Sequence, residues 1–281
     1  MTHRQLLVAG VTRREIERRQ ESGRLVGVHV GVYRVAGVRP SYEQAVMAAC
    51  LATGGVASHR TAARLFHLRG FERFRAVEIT VQGPRAPRLD GVVAHRTRKL
   101  HPTKIGVIPV TMPAQTLLGL AAVAPKAAEG AVNDVLARGL GTLSGLVRFV
   151  LEQGRSGRNG TVRLRELLED QIKGKAPTES WLEDRLLDLI RAYGLPEPVR
   201  QFRLEGMRFD FAYPELPLDV EADSRLWHST PDQLRQDEER DRTARGLGWA
   251  VERVTWLQLE EEPATVAARL RRWFEPVKAA A

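Results

Sequence analysis

Between Pro217 and Ser224 the chain alternates strictly. Leu218, Val220 and Ala222 fall on one side of an extended backbone, and Asp219, Glu221 and Asp223 fall on the other. A period of two specifies a strand with one apolar and one acidic face. The acid is conspicuous because the chain is basic overall, with 43 Lys and Arg against 34 Asp and Glu, a net charge of +9. Asp219 is expected on the solvent face of an edge strand, where charge deters strand-to-strand aggregation. Glu221 and Asp223 are expected under a charged helix spanning about 232–247. On that helix, Asp237, Glu238 and Glu239 read as a solvated face.

The charge is unevenly placed. Residues 1–160 hold 24 Lys and Arg against 10 Asp and Glu, whereas the rest hold 19 against 24. A basic half joined to an acidic half suggests two jobs, the first being attraction of a polyanion such as DNA. Nearly all of that positive charge is arginine, which suits phosphate and base-edge contacts. Cys50 is the single cysteine, so no intrachain disulfide can form, which is consistent with a reducing, cytoplasmic setting. The apolar run Leu6–Val11 is too short for a signal-peptide core. Residues 105–125 carry no charge and are about long enough to span a bilayer. Pro109 and Pro113 interrupt them, so they read as a buried strand, a turn and a core helix, and no membrane partner is expected.

Three regions are expected: 1–40, 41–160 and 175–276. In the first, Gly10 ends a short helix and Thr12-Arg13-Arg14-Glu15 has the form of a capping box. The second helix stops near Gly23, and Val26, Val28, Val30 and Val32 then alternate as a hairpin. This is a winged-helix layout, with Arg13, Arg14, Arg18 and Arg19 on or beside the DNA-reading helix. Residues 41–153 read as a mixed α+β region. His59, His67, His95 and His101 are scattered there without metal-ligand spacing and read as structural. Gly154–Gly160 is a polar, glycine-rich linker. From Pro177 onward the order is α-β-β-β-α-β-α, with Trp181, Leu182, Leu186, Leu189 and Ile190 forming one apolar helical stripe. The fold class is therefore α/β, α+β overall.

Asp210 lies in the second of these strands and Glu221 in the third. If the two strands are hairpin neighbours, the carboxylates meet on one face. At about 4 Å they would repel by roughly 4 kcal/mol at an effective dielectric of 20. A shared proton or a divalent cation would offset that, and hard oxygen ligands favour magnesium, manganese or calcium.

Ser180-x-x-Glu183, Arg208-x-Asp210-Phe211-Ala212, Val220-Glu221-x-Asp223, Trp227-His228, Arg240-Asp241 and Gly248-Trp249 occur in that order. The region resembles the PD-(D/E)XK nuclease core, and more narrowly the endonuclease-like domains related to the very-short-patch mismatch repair endonuclease. Val28-x-x-Gly31-Val32-Tyr33, Ser58-His59-Arg60 and Ile108-Pro109-Val110-Thr111 make the first 160 residues similar to AbiEi-type antitoxins. The first resemblance implies Asp210 and Glu221 as ligands of magnesium or manganese. Glu183 would complete or orient that shell. His228 would be a general acid or base, or a phosphate contact, and Arg240 would pair with a carboxylate or the phosphate. Asp223 stands where the motif usually has lysine, and Ser224 where these domains commonly have glycine. Two functions follow as expectations: metal-dependent hydrolysis of DNA, or non-catalytic regulation as an antitoxin with a cognate toxin and a vestigial nuclease fold. Trp227 is expected to pack rather than stack on a base.

Overall fold

The computed structural model describes residues 1–154, 157–175, 179–223 and 231–278. The fold is mixed α/β. Two compact units emerge: Met1–Thr142 with Gln153–Leu164, and Leu143–Glu152 with Arg165–Ala281.

The first unit opens with helices α1 (His3–Val8) and α2 (Arg13–Glu21), then an antiparallel hairpin of β1 (Leu25–His29) and β2 (Val32–Val35). Leu6, Ile16 and Leu25 form its small core, with Val11 and Tyr33 against it. Thr12 caps α2 by accepting from the Glu15 backbone N–H at 3.2 Å. The reciprocal half of the expected box is not made, because the Glu15 carboxylate turns to Arg18 and Arg19 instead. Charged partners outcompete a backbone amide for that carboxylate.

Helix α3 (Tyr42–Thr53), β3 (Val56–Ala57), α4 (His59–Leu65), β4 (Val77–Gln82), β5 (Val92–Thr97), β6 (Pro102–Ile105), β7 (Ile108–Thr111), α5 (Pro113–Val123) and α6 (Pro125–Ala137) follow. The five strands pair in the order β5-β4-β3-β7-β6, with β4–β5 and β3–β7 parallel. Val46, Ala49, Ala57, Ile79 and Val110 centre the core. The uncharged stretch 105–125 is thus β7 and α5. Among the described residues, no helix is long and apolar enough to cross a membrane.

The four histidines are not all scattered. His59 and His95 stack with ring centroids 3.6 Å apart and planes 21° from parallel. Their spacing in sequence hides this, because α4 and β5 meet only in the tertiary fold. His59 also holds a left-handed backbone, φ +50°, a conformation costing a non-glycine residue on the order of 1–3 kcal/mol.

Helices α7 (Leu143–Gln153) and α8 (Thr161–Lys175) come next. The sequence reading leaves the residues of α8 without an element, yet Leu164, Leu167 and Leu168 are buried at helical spacing. Gly160, just before α8, has φ +83°, and a Cβ there would sit 2.4 Å from the Leu118 carbonyl oxygen. Backbone on both sides leaves no soft atom to yield. Gly160→Ala is therefore expected to cost about 2 kcal/mol or more. A urea titration checks this: an unchanged midpoint would contradict it.

The second unit continues with α9 (Glu179–Ala192), β8 (Val199–Leu204), β9 (Met207–Tyr213), β10 (Leu218–Asp223), α10 (Pro231–Gly246), β11 (Ala250–Thr255), α11 (Trp256–Glu261) and α12 (Pro263–Lys278). The sheet order is β11-β10-β9-β8, antiparallel except for the parallel β10–β11 pair. A parallel pair needs a crossover, and α10 supplies it. Strand β10 is therefore an inner strand, flanked on both sides. Phe209, Ala212, Ala244 and Trp249 pack between the sheet and α10.

Candidate functional site

Inner-strand placement decides the fate of the three carboxylates on β10. Asp219 is 0% exposed, which overturns the solvent-face expectation. Alternation put it on the correct side of the strand, but that side is covered. Among the described residues, no hydrogen-bond donor reaches either of its oxygens. Burial, then the neighbouring charges of Glu221 and Asp210, push its carboxyl up to about 8. Protonation is the cheaper state for an acid so placed.

Glu221 is also buried, but its charge is compensated. Arg240 of α10 reaches Oε1 at 2.6 Å, and Arg253 of β11 reaches Oε2 at 3.1 Å. Parallel pairing sets Arg253 directly beside Glu221. The other face of Arg253 grips Asp241 of α10 through two bonds of 2.9 and 2.5 Å. That bidentate contact, chiefly, holds the Asp241 carboxyl below its usual range and raises Arg253. Arg240 is anchored in turn by the Arg208 carbonyl at 2.6 Å. Arg253 went unnoticed in the sequence because its register against β10 is set by a crossover rather than by a turn.

The regular ladder between β9 and β10 pairs Leu218–Tyr213, Asp219–Ala212 and Val220–Phe211. One step further, the Ala222 N–H is taken by the Asp210 carboxylate at 3.2 Å. A side chain thus replaces a backbone acceptor, and it brings the carboxyl of Asp210 to the end of β10.

Here a cavity of about 580 Å³ opens, lined by Glu183, Asp210, Glu221, Asp223, Asp237 and Arg240 among others. Glu183 projects from α9 and accepts from Gln201 Nε2 at 3.0 Å. Five of the sequence-selected residues, Glu183, Asp210, Glu221, Asp223 and Arg240, therefore share one pocket. Asp237 joins them and is half-buried, which corrects its assignment to a solvated face; Glu238 and Glu239 are exposed. His228, Trp227 and Ser224 lie outside the described residues. Among the described residues, no three His, Cys, Asp or Glu side chains are grouped so as to hold a metal ion.

In the first unit, Arg13 and Arg14 of α2 are exposed, whereas Arg18 and Arg19 are drawn onto Glu15. These two arginine contacts lower the Glu15 carboxyl below its usual range.

No family model matches the chain. It is 28% identical over 279 residues to the uncharacterized proteins MT2308 and Rv2248 from two strains of Mycobacterium tuberculosis, covering 96% of this chain and all of each relative. Among solved structures, the homing endonuclease I-Bth0305I catalytic domain aligns with 34% of this chain and 94% of its own, at 16% identity and a TM-score of 0.29.

Proposed function

We propose that this is a DNA-binding protein whose second unit hydrolyses a phosphodiester in the acidic pocket. The observation that carries the reading is the convergence of Glu183, Asp210, Glu221 and Asp223, from α9, β9 and β10, on one cavity. The donor chemistry fits a hard divalent cation such as magnesium or manganese, because carboxylates outnumber guanidinium groups around the pocket. Asp210 and Glu221 would hold it, and Glu183 would steady that pair. The ion would lower the pKa of a bound water and stabilise the leaving oxygen. Arg240, at the pocket wall, would pair with a phosphate on leaving Glu221. Arg13 and Arg14, with the basic surplus of the first 160 residues, would supply duplex attraction.

One observation favours a second reading, a non-catalytic regulator or antitoxin that binds DNA, with a toxin as partner. Both oxygens of Glu221 are already committed to arginines, and Asp223 stands in place of the motif lysine. Incubation of the protein with plasmid and magnesium separates the two readings, with Asp210→Ala as control. Hydrolysis predicts nicking by the parent and at least a hundredfold loss in the variant. Equal cleavage by both would mark a contaminant. No cleavage, together with sequence-selective binding that weakens steeply as salt rises and fails on Arg13→Ala/Arg14→Ala, would establish the regulator instead.

A further inference from the structure

A second polar cavity, of about 530 Å³, lies wholly within the first unit. Ser58, His59, Thr80, His95, Arg96 and Arg158 are among the residues that line it, and no Asp or Glu is among those described. We propose that this cavity binds a phosphate monoester, as carried by a mononucleotide or by the 5′ end of a DNA strand.

The wall is built around His59. Its ring is inserted between His95 and helix α5, where Gly119 gives way to it: a Cβ on Gly119 would come within 2.7 Å of the imidazole. Its backbone is held in the left-handed region to place that ring. Strain of this kind persists where the surroundings over-determine it, and it gathers at ligand sites. Ser58, 1% exposed, does not cap α4; its hydroxyl meets His59 Nδ1 at 2.9 Å. That leaves Nε2 as the ring atom available to a ligand. Burial, and then the charge of His95, hold His59 down to about 3. The ring is therefore neutral at physiological pH. In the tautomer in which Ser58 donates to Nδ1, Nε2 carries the proton and donates.

The cations supply the class of ligand. Arg96 is anchored by the Pro84 carbonyl at 2.6 Å and Arg158 by the Gln153 carbonyl at 2.9 Å. A guanidinium has five N–H donors, so one anchoring bond leaves Arg96 able to grip an oxyanion. The buried acid Glu78, 0% exposed, lies 3.9 Å from His95 Nε2 and is paired with Arg60, which offsets its charge. The buried hydroxyl of Thr80 adds a neutral donor. The volume exceeds that of a bare phosphate and falls in the range of small-molecule sites.

Calorimetric titration of the full chain tests this with adenosine monophosphate, adenosine, inorganic phosphate, and short oligonucleotides with and without a 5′-phosphate. Adenosine monophosphate is expected to bind at least tenfold more tightly than adenosine, with inorganic phosphate competing. The Arg96→Ala/Arg158→Ala variant, checked for an unchanged circular dichroism spectrum, should lose at least tenfold. If that variant misfolds, Arg96→Ala alone, whose side chain is exposed, must still lose at least threefold. A phosphorylated oligonucleotide that outcompetes the mononucleotide, with the same dependence on Arg96, would identify a strand end as the source; parity would identify the nucleotide. Equal binding of adenosine and its monophosphate, or affinity untouched by either substitution, overturns the proposal.

Discussion

Asparagine in place of Asp219 is expected to stabilise the second unit at alkaline pH and to leave it little changed near pH 4. The carboxyl is pushed up to about 8 in the fold, by burial first and by Glu221 and Asp210 after it. In an unfolded chain it titrates near ~3.9. Between those values the folded state holds a proton that the unfolded state has released. The stability linked to that proton is therefore fully present below about pH 4 and is lost as pH rises through about 8. The slope is at most ~1.4 kcal/mol per pH unit, so the whole window amounts to a few kcal/mol. Asparagine keeps the shape and cannot ionise. Thermal melts from pH 4 to 9, with a chelator present, should show the variant's Tm pulling ahead as pH rises. Parallel curves for the two proteins would refute this account of Asp219.

Glu221→Ala is expected to destabilise the same unit by roughly 3 kcal/mol. Removing one partner of a buried pair typically costs about 3–5 kcal/mol. The lower figure applies because Arg240 and Arg253 keep 39% and 26% of their side chains exposed and can recover some hydration. Arg253 also retains Asp241. Part of the loss is returned through Asp219, whose ionisation Glu221 opposes. The cost of Glu221→Ala should consequently be larger in an Asp219→Asn background than in the parent. Denaturant titrations of the four proteins form the cycle that measures this. Costs that simply add, within about 0.5 kcal/mol, would show that the two carboxyls do not communicate.

Asp219 also shows where the sequence stops being legible. Alternation states which side chains share a face, and it did so correctly for 218–223. It does not state whether a strand lies at the edge of a sheet or inside it. That depends on β11, which joins β10 through a helical crossover and leaves no local mark on β10 itself. Arg253 was invisible for the same reason. By contrast, the order of elements from α9 to α12, apart from the short helix α11 that the reading missed, could be read because these elements carry their own signals: an apolar stripe in α9, the turn at Gly206, Pro214 and Pro217 between strands, and Gly248 closing α10. Asp210 and Glu221 could be brought together on paper because a short turn joins their strands. His59 and His95 could not, because their meeting requires α4, α5 and the parallel β4–β5 pair to be assembled first. Helix α8 was obscured by its glycine-rich approach, which has the composition of a linker although Leu164, Leu167 and Leu168 are core residues.

The parallel joint between β10 and β11 also orders events in time. A chain is synthesised from its N-terminus, and units fold as they emerge. The arginine-bearing helix α2 and its hairpin are complete while the acidic pocket does not yet exist. Even when β10 has emerged, Glu221 still lacks Arg253, and the strand has a bare flank until α10 has passed and β11 has docked. During synthesis the basic end of this protein, with its arginine-bearing helix, is thus available well before the acidic end can close around anything. A chain interrupted before residue 250 would keep the first property without ever acquiring the second.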